Sequence, residues 1–430
     1  MQICPIKLKR KNALLVLSTT SLRKFRRTPK IVLVKNLIGL ALIVLLFSCK
    51  DGDKKNGISP TAAVTANSAS TSSLTPSELR HYKKMINQFF DSMIGRGNFN
   101  GSVLVAKNGE IIYEQYKGFR NPRVRKDTIT SSTSFHLASV SKTFTAMAVL
   151  KLEEEGKLNI EDSVSKYLPG FPCVGVTIKT LLNHRSGLPN YVHYMEKLGW
   201  DKKRLITNQD VLNFIIERHE DIQIGNPDRH FSYSNTNYAL LALIIEKASG
   251  LFYGDYLRKT IFEPLGMNDT YVFTPADSAK SLPSFFYSGR QYAFDFLDLV
   301  YGDKNIYSTV RDLLKWDQAL HSGLLFKRET LDAAYAGYSF EKPGINNYGL
   351  GWRMFLLRNG KKFIYHNGWW HGNRTAFYRL LDENVTIIAL SNNDSKKVYS
   401  SKKLADMFGN YFKNRDEAKE SDNSSGSPSP

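Results

Sequence analysis

Apolar and polar positions divide this chain into a strand-rich start, a helical middle and a strand-rich end. Ser102-Val-Leu-Val-Ala-Lys-Asn-Gly-Glu-Ile-Ile-Tyr-Glu-Gln-Tyr116 gives two strand-like runs around Asn108-Gly109. That dipeptide turns a hairpin because both residues accept positive φ. Ahead of it, residues 76 to about 94 carry a helical pattern. Further on, Ser139-Val140-Ser141-Lys142 leads into Met147-Ala-Val-Leu-Lys-Leu-Glu-Glu-Glu155, of helical composition, with Gly156 as its stop. From about 158 to 340 the chain alternates helix and loop with scattered prolines. Strand patterns return at 349–356, 362–366, 375–381 and 385–390, with a turn at Asn359-Gly360. This order predicts an α+β fold in which N- and C-terminal strands form one antiparallel sheet, flanked by helices, with a mostly helical region inserted. Ser139 then falls between sheet and helices, where ligand clefts are found.

Composition sets the limits. With 430 residues and 42% hydrophobic content, the chain can build one large domain or two modest ones. The pattern favours one, at 76–414. Residues 50–75 are Ser, Thr, Ala, Asp and Lys with few large apolar groups, too polar to bury a core, and read as a tether. The end of the chain, 415–430, is expected to be a disordered tail on the same grounds.

The formal charge of +19 raises nucleic acid as a partner, but its distribution argues against one. Residues 1–48 hold ten basic side chains and no acidic one, leaving +9 spread over the remainder without a basic block. Those basic residues precede the apolar run Leu37-Ile-Gly-Leu-Ala-Leu-Ile-Val-Leu-Leu-Phe47. Its length of about 11 residues suits a secretory signal at 1–48, and is well short of the roughly 20 that span a bilayer. Leu46-Phe47-Ser48-Cys49 resembles a bacterial lipobox. That resemblance implies lipidation of Cys49, residues 49–75 as lipidated cysteine and tether, and an exported, lipid-anchored protein of the cell envelope. Cys173 would then be the one remaining thiol, expected to be a small buried hydrophobe. No metal-ligand spacing occurs, so neither metal nor cofactor is expected.

Ser139 begins one of five Ser-x-x-Lys matches, so the triplet spacing by itself selects nothing. Its chemistry is nevertheless suggestive. Residues at i and i+3 share a helical face, which lets the Lys142 amine reach the Ser139 hydroxyl and take its proton if the amine is neutral. Order then separates this match from the others. Tyr233-Ser234-Asn235 lies downstream, followed by His366-Asn367-Gly368 on a late strand run.

With the flanking Phe135-His-Leu-Ala-Ser-Val-Ser-Lys-Thr-Phe-Thr-Ala146, these three elements resemble the serine β-lactamase and penicillin-binding protein superfamily. The likeness is to its class C-like branch of esterases, D-aminopeptidases and D-Ala-D-Ala carboxypeptidases, and it spans about residues 80–412. The resemblance implies a covalent acyl-enzyme on Ser139, with proton handling shared by Lys142 and Tyr233 and the base left open between them. Asn235 would hold Lys142 and a substrate amide. The oxyanion hole would be the backbone N–H of Ser139 and of Trp369, just after Gly368.

His366 stands where much of the superfamily has lysine. A histidine titrates near about 6.5 and is mostly neutral at pH 7. That favours an ester, or a peptide without a carboxylate at that point, as the small-molecule or peptide substrate. Arg374 is the residue that could restore the charge. His184 is expected to tie down a loop. Serine hydrolysis of an ester or amide, possibly a D-amino-acid peptide, is therefore the leading function. Hydrolysis of β-lactams or D-Ala-D-Ala carboxypeptidase activity is the alternative, and a catalytically silent penicillin-binding-like receptor the second alternative. Oligomeric state is left open.

Overall fold

A computed structural model describes residues 74–93 and 99–425. The expected signal at 1–48, Cys49 and nearly all of the tether lie outside the described residues. Among the described residues, no helix is long and apolar enough to cross a membrane.

Helix α1 (Pro76–Met93) opens the domain. Thr75 and Glu78 cap it reciprocally: the Glu78 N–H donates to Thr75 Oγ1 at 3.3 Å, and the Thr75 N–H donates to the Glu78 carboxylate at 2.8 Å. Strands β1 (Gly101–Lys107) and β2 (Glu110–Lys117) form the predicted hairpin. Asn108 and Gly109 have φ of 53° and 77°, the left-handed pair that the turn requires.

A short three-stranded sheet combines β3 (Phe135–His136), β4 (Tyr271–Val272) and β5 (Ile306–Ser308), in the order β3-β5-β4. Strands of two or three residues carry no readable alternation, which is why the sequence pattern misses them. The main sheet is completed by β6 (Asn346–Tyr348), β7 (Arg353–Leu356), β8 (Lys362–Trp370), β9 (Asn373–Leu380) and β10 (Val385–Ser391). Its order is β2-β1-β10-β9-β8-β7-β6, antiparallel throughout, so N- and C-terminal strands meet along β1–β10 from Gly101↔Ser391 to Lys107↔Val385. The expected architecture is what the chain adopts.

Both faces of this sheet are covered. Val103 and Val105 point into a cluster with Ile86, Phe90, Tyr378 and Ile387. Their neighbours Leu104 and Ala106 point into a larger cluster that includes the helical region. A strand buried on both faces must be apolar or internally satisfied at every position: β10 is buried throughout, apolar except at Thr386 and Ser391, whose hydroxyls donate to Asp317 and Asn393. Helix α2 (Ser141–Glu154) lies within the larger cluster and is buried almost all round, as a central helix should be.

Two expectations are corrected. The strand expected over 349–356 begins only at Arg353, because Gly349–Trp352 turns the chain between β6 and β7. Gly351, at φ 87°, lies so close to α2 that an added Cβ would sit 2.2 Å from the Ala146 methyl. The tail expected to be disordered from Arg415 instead forms a helix over Arg415–Ser425. Its acids accept strand-end donors: Glu417 takes the Arg358 N–H at 2.8 Å and Glu420 the Ile345 N–H at 2.9 Å. Composition marks that segment as polar but does not reveal this local capping.

Candidate active site

Ser139 sits in a 3₁₀ turn, Ala138–Val140, directly before α2. The turn is strained at Ala138, whose φ is 49°. Several contacts hold it there. The Ala138 N–H donates to His136 Nδ1 at 3.0 Å, the Leu137 N–H to Ile306 O at 2.8 Å, and Thr375 Oγ1 to Leu137 O at 2.7 Å. Gly368 of β8 passes across this turn. A Cβ there would lie 2.1 Å from Thr375 Oγ1 and 2.3 Å from Leu137 O, so only glycine lets the strand approach.

Lys142 is fully buried, and its Nζ has three partners. These are Ser139 Oγ at 3.1 Å, Asn235 Oδ1 at 2.8 Å and the Asp303 backbone carbonyl at 2.7 Å. Asn235 Oδ1 and the carbonyl can only accept, whereas a serine hydroxyl can also donate. A neutral amine here would give its two N–H groups to the two acceptors and turn its lone pair toward Ser139. The geometry thus accommodates both forms of the amine that acyl transfer needs.

Asn235 is the first residue of helix α3 (Asn235–Ser249). Tyr233 lies just before it, half-buried, with its ring centre 5.1 Å from Lys142 Nζ. Among the described residues its hydroxyl, itself buried, has no hydrogen-bond partner. His184 braces the underside of Tyr233, their ring centroids 4.3 Å apart. His184 Nδ1 accepts from the Ser234 N–H at 3.2 Å and from Asn237 Nδ2 at 3.1 Å. Burial, then the charges of Lys142 and Arg353, push its pKa well below the usual value. It is a neutral strut, as expected of a loop tie.

His366 is fully buried, which corrects its expected role as a group that contacts substrate. Its Nδ1–H donates to Asn367 O at 2.7 Å, leaving Nε2 to accept from the Tyr348 hydroxyl at 3.2 Å. Burial, then Arg353 and Lys142, hold its pKa well below the ordinary histidine value. Arg374 does not restore a charge either. It is buried, its Nε donates to Asp394 at 2.7 Å, and its guanidinium stacks 4.2 Å from the Trp369 ring centre. Trp369 is half-buried on β8, where pairing with β7 has already ended at Arg353↔Tyr365. Among the described residues, that edge of β8 has no strand neighbour from His366 to Trp370. Cys173 is half-buried, and burial pushes its thiol up to about 11.

A cation beside these rings is Arg353, which the strand pattern leaves as an ordinary position. Its guanidinium lies 4.8 Å from the Tyr233 ring centre and 5.9 Å from that of Tyr348. Among the described residues it forms no ion pair, and its buried Nε has no acceptor. It lines a cavity of about 380 Å³ together with Phe231, Tyr348, Tyr365 and Glu341, whose carboxylate is taken by Arg185 at 3.0 Å. A second cavity, about 360 Å³, adjoins His136, Trp370 and His371. On its wall Asp298 accepts from Trp370 Nε1 at 2.7 Å and pairs with His371 Nε2 at 3.0 Å.

An antiparallel sheet backed by helices, with a serine, a buried lysine and an amide converging at their junction, defines a serine acyl-transfer enzyme. The chain belongs to the Beta-lactamase family, whose family model matches residues 86–407. It is 34% identical over 337 residues to "Penicillin-binding protein 4*" of Bacillus subtilis (strain 168), covering 74% of this chain and 73% of that one. It is 31% identical over 277 residues to "Putative penicillin-binding protein PbpX" of the same organism, covering 62% of this chain and 64% of the relative. Among solved structures, a penicillin binding protein from Bacillus halodurans superposes with a TM-score of 0.66 at 22% identity, over 75% of this chain and 98% of that one. D-amino acid amidase from Ochrobactrum anthropi SV3, complexed with L-phenylalanine amide, superposes with a TM-score of 0.62 at 22% identity, over 81% and 99%. At those identities the likeness is one of fold. The chain is a serine hydrolase of the acyl-enzyme type.

Proposed function

We propose that Ser139 is acylated by a peptide or amide substrate that carries a carboxylate close to the scissile bond. The observation that carries this reading is Arg353, an unpaired guanidinium on a cavity wall one aromatic ring away from Lys142. A guanidinium without a carboxylate partner favours one from a ligand, in bidentate geometry. This reverses the expectation drawn from His366, because the charge missing from position 366 is supplied by β7.

In the proposed reaction Ser139 Oγ attacks the carbonyl carbon and its proton passes to Lys142 Nζ. The tetrahedral oxyanion is received by the backbone N–H groups of Ser139 and Trp369. The leaving amine takes a proton by way of the Tyr233 hydroxyl, and water then releases the acyl group from Ser139. Lys142 is assigned as base because it lies in hydrogen-bond reach of Oγ with its other donors already engaged. Asn235 keeps the amine oriented. The lipidated Cys49 and a place on the exported side of a bacterial envelope belong to this proposal on sequence grounds: a basic start, an apolar run and Ser48-Cys49.

The test is a matched pair of peptides ending in a D-residue, one as free acid and one as amide, assayed with the native protein and Arg353→Met. The proposal expects the free acid to be preferred, and the preference to fall about 10- to 100-fold in the variant. Equal use of both by the native protein overturns it. The second reading, acylation by β-lactams, is favoured by the names of the two Bacillus subtilis relatives. Arg353 would serve it equally, and rapid hydrolysis of a chromogenic cephalosporin in preference to either peptide would establish it.

A further inference from the structure

The segment 302–306 grips the start of α2 at successive residues. Gly302 O accepts from Thr145 Oγ1 at 2.6 Å and Asp303 O from Lys142 Nζ at 2.7 Å. Asn305 Oδ1 accepts from His136 Nε2 at 2.8 Å, and the Ile306 N–H donates to Ser141 Oγ at 3.2 Å. The residue within this segment that does not touch α2 or its approach is Lys304.

Lys304 is buried, and a buried ammonium is costly unless it is paired. Its Nζ lies 3.4 Å from Asp303 Oδ2 and donates to the Tyr191 hydroxyl. Tyr191 in turn donates to Asp303 Oδ2 at 3.2 Å. The Lys304 ammonium also faces the Trp370 ring, 4.6 Å from its centre. Lys304 therefore touches both the residue whose carbonyl holds the base and the neighbour of Trp369 on β8.

We propose that Lys304 is a positioning residue for acyl transfer: its ammonium ties the Asp303 turn that holds Lys142 to Tyr191 and to Trp370, fixing the base relative to the β8 edge. A merely structural ion pair would not need a partner on β8, nor a place in the turn that carries the acceptor of Lys142. Its charge has a second effect. Lys142 is faced by Ser139, Asn235 and the Asp303 carbonyl, by the rings of Tyr233 and Tyr238, by His184 and His366, and from the same turn by the paired charges of Lys304 and the Asp303 carboxylate. Removing that ammonium would leave the Asp303 carboxylate unpaired on the turn, and an unpaired anion favours the charged form of a nearby amine. Burial lowers the pKa of Lys304 itself, against the opposing pull of Asp303 and Asp298.

This inference rests on Lys142 being the base. Lys304→Met, Lys304→Arg, Tyr191→Phe and Lys142→Met are compared in the full chain by single-turnover acylation with an activated ester across pH, with melting temperature recorded alongside. Lys304→Met is expected to lower kcat about 10- to 100-fold while KM stays within about twofold. The acid limb of its kcat profile moves up by about one pH unit, since the Asp303 carboxylate stays and loses its ammonium partner. Lys304→Arg recovers part of kcat, and Tyr191→Phe, which keeps the ammonium, gives a loss of roughly 3- to 10-fold without moving the limb. If Lys304→Met does not fold, the Arg and Phe variants decide, both with kcat lowered and KM unchanged. An unmoved acid limb in Lys304→Met, or losses in every variant that merely follow melting temperature, overturns the inference and leaves a structural ion pair. Full acylation by Lys142→Met would instead overturn the choice of base, whatever Lys304 does.

Discussion

Lys142 Nζ donates to the backbone carbonyl of Asp303 at 2.7 Å, across 161 residues of chain. With the Asn235 bond, that contact leaves Ser139 as the amine's third partner. Asn235 is the adjustable member of the trio, because its side chain can be altered and the carbonyl cannot. Asn235→Asp substitutes an anion beside the amine and stabilises its charged form. The acid limb of kcat/KM is expected to move to higher pH, by about one to two units, with activity at the plateau reduced by less than about tenfold. A pH–rate profile of the variant with an activated ester checks this, and an unmoved limb would refute it.

Gly368 predicts a steric effect. Gly368→Ala drives a methyl into Thr375 Oγ1 and the Leu137 carbonyl, the groups that hold the Ser139 turn. Such overpacking costs about 1–3 kcal/mol. Displacement of the turn by about 1 Å is expected to lower acylation about 100-fold. Urea unfolding together with acylation kinetics separates the two effects, and a variant as active as the native protein contradicts the placement of β8.

Three buried histidines predict acid sensitivity. His136, His184 and His366 are held neutral, burial being the largest cause in each, and His136 is lowered to about 4. Their folded pKa values lie below the unfolded value of about 6.5, so the unfolded chain binds more protons as pH falls. The stability they contribute is whole above about pH 6.5 and is lost progressively toward pH 4, with about 3 kcal/mol from His136 alone. Urea midpoints at pH 7.5, 6 and 5 should fall in that order. A midpoint that holds constant down to about pH 5 would show these rings to be solvated.

The terminal helix predicts a local effect. Removing residues 415–430 leaves the Arg358 and Ile345 N–H groups without their Glu417 and Glu420 acceptors. Each such loss costs about 1–3 kcal/mol where the group stays buried. A lowered melting temperature with unchanged kcat is expected, because neither donor adjoins Ser139. An unchanged melting temperature would mean that the helix does not dock in solution.

Much of this site was legible because its chemistry depends on side-chain identity in a fixed order. Ser139, Lys142 and Asn235 stand together in space as their order along the chain implies. The Asp303 carbonyl could not be read this way, since every residue carries one. Arg353 escaped because a charged residue in a strand looks like a solvent-facing position. Its significance comes from the lack of an ion pair among the described residues: Glu341, which lines the same cavity, is held by Arg185, and only packing reveals that. Burial holds His366 below the ordinary histidine pKa, the direction that leaves it without a charge. Its depth was not foreseen, because Tyr348, which covers it, belongs to a three-residue strand too short to carry a pattern.

In the proposed reaction Ser139 carries the acyl group. The full chain, quenched during turnover of an activated ester or after treatment with a fluorophosphonate probe, is digested and its peptides weighed by mass spectrometry. A stoichiometric mass increase is expected on the peptide containing Ser139, absent in Ser139→Ala and strongly slowed in Lys142→Met. An adduct on another residue, or one that persists in Ser139→Ala, would contradict it.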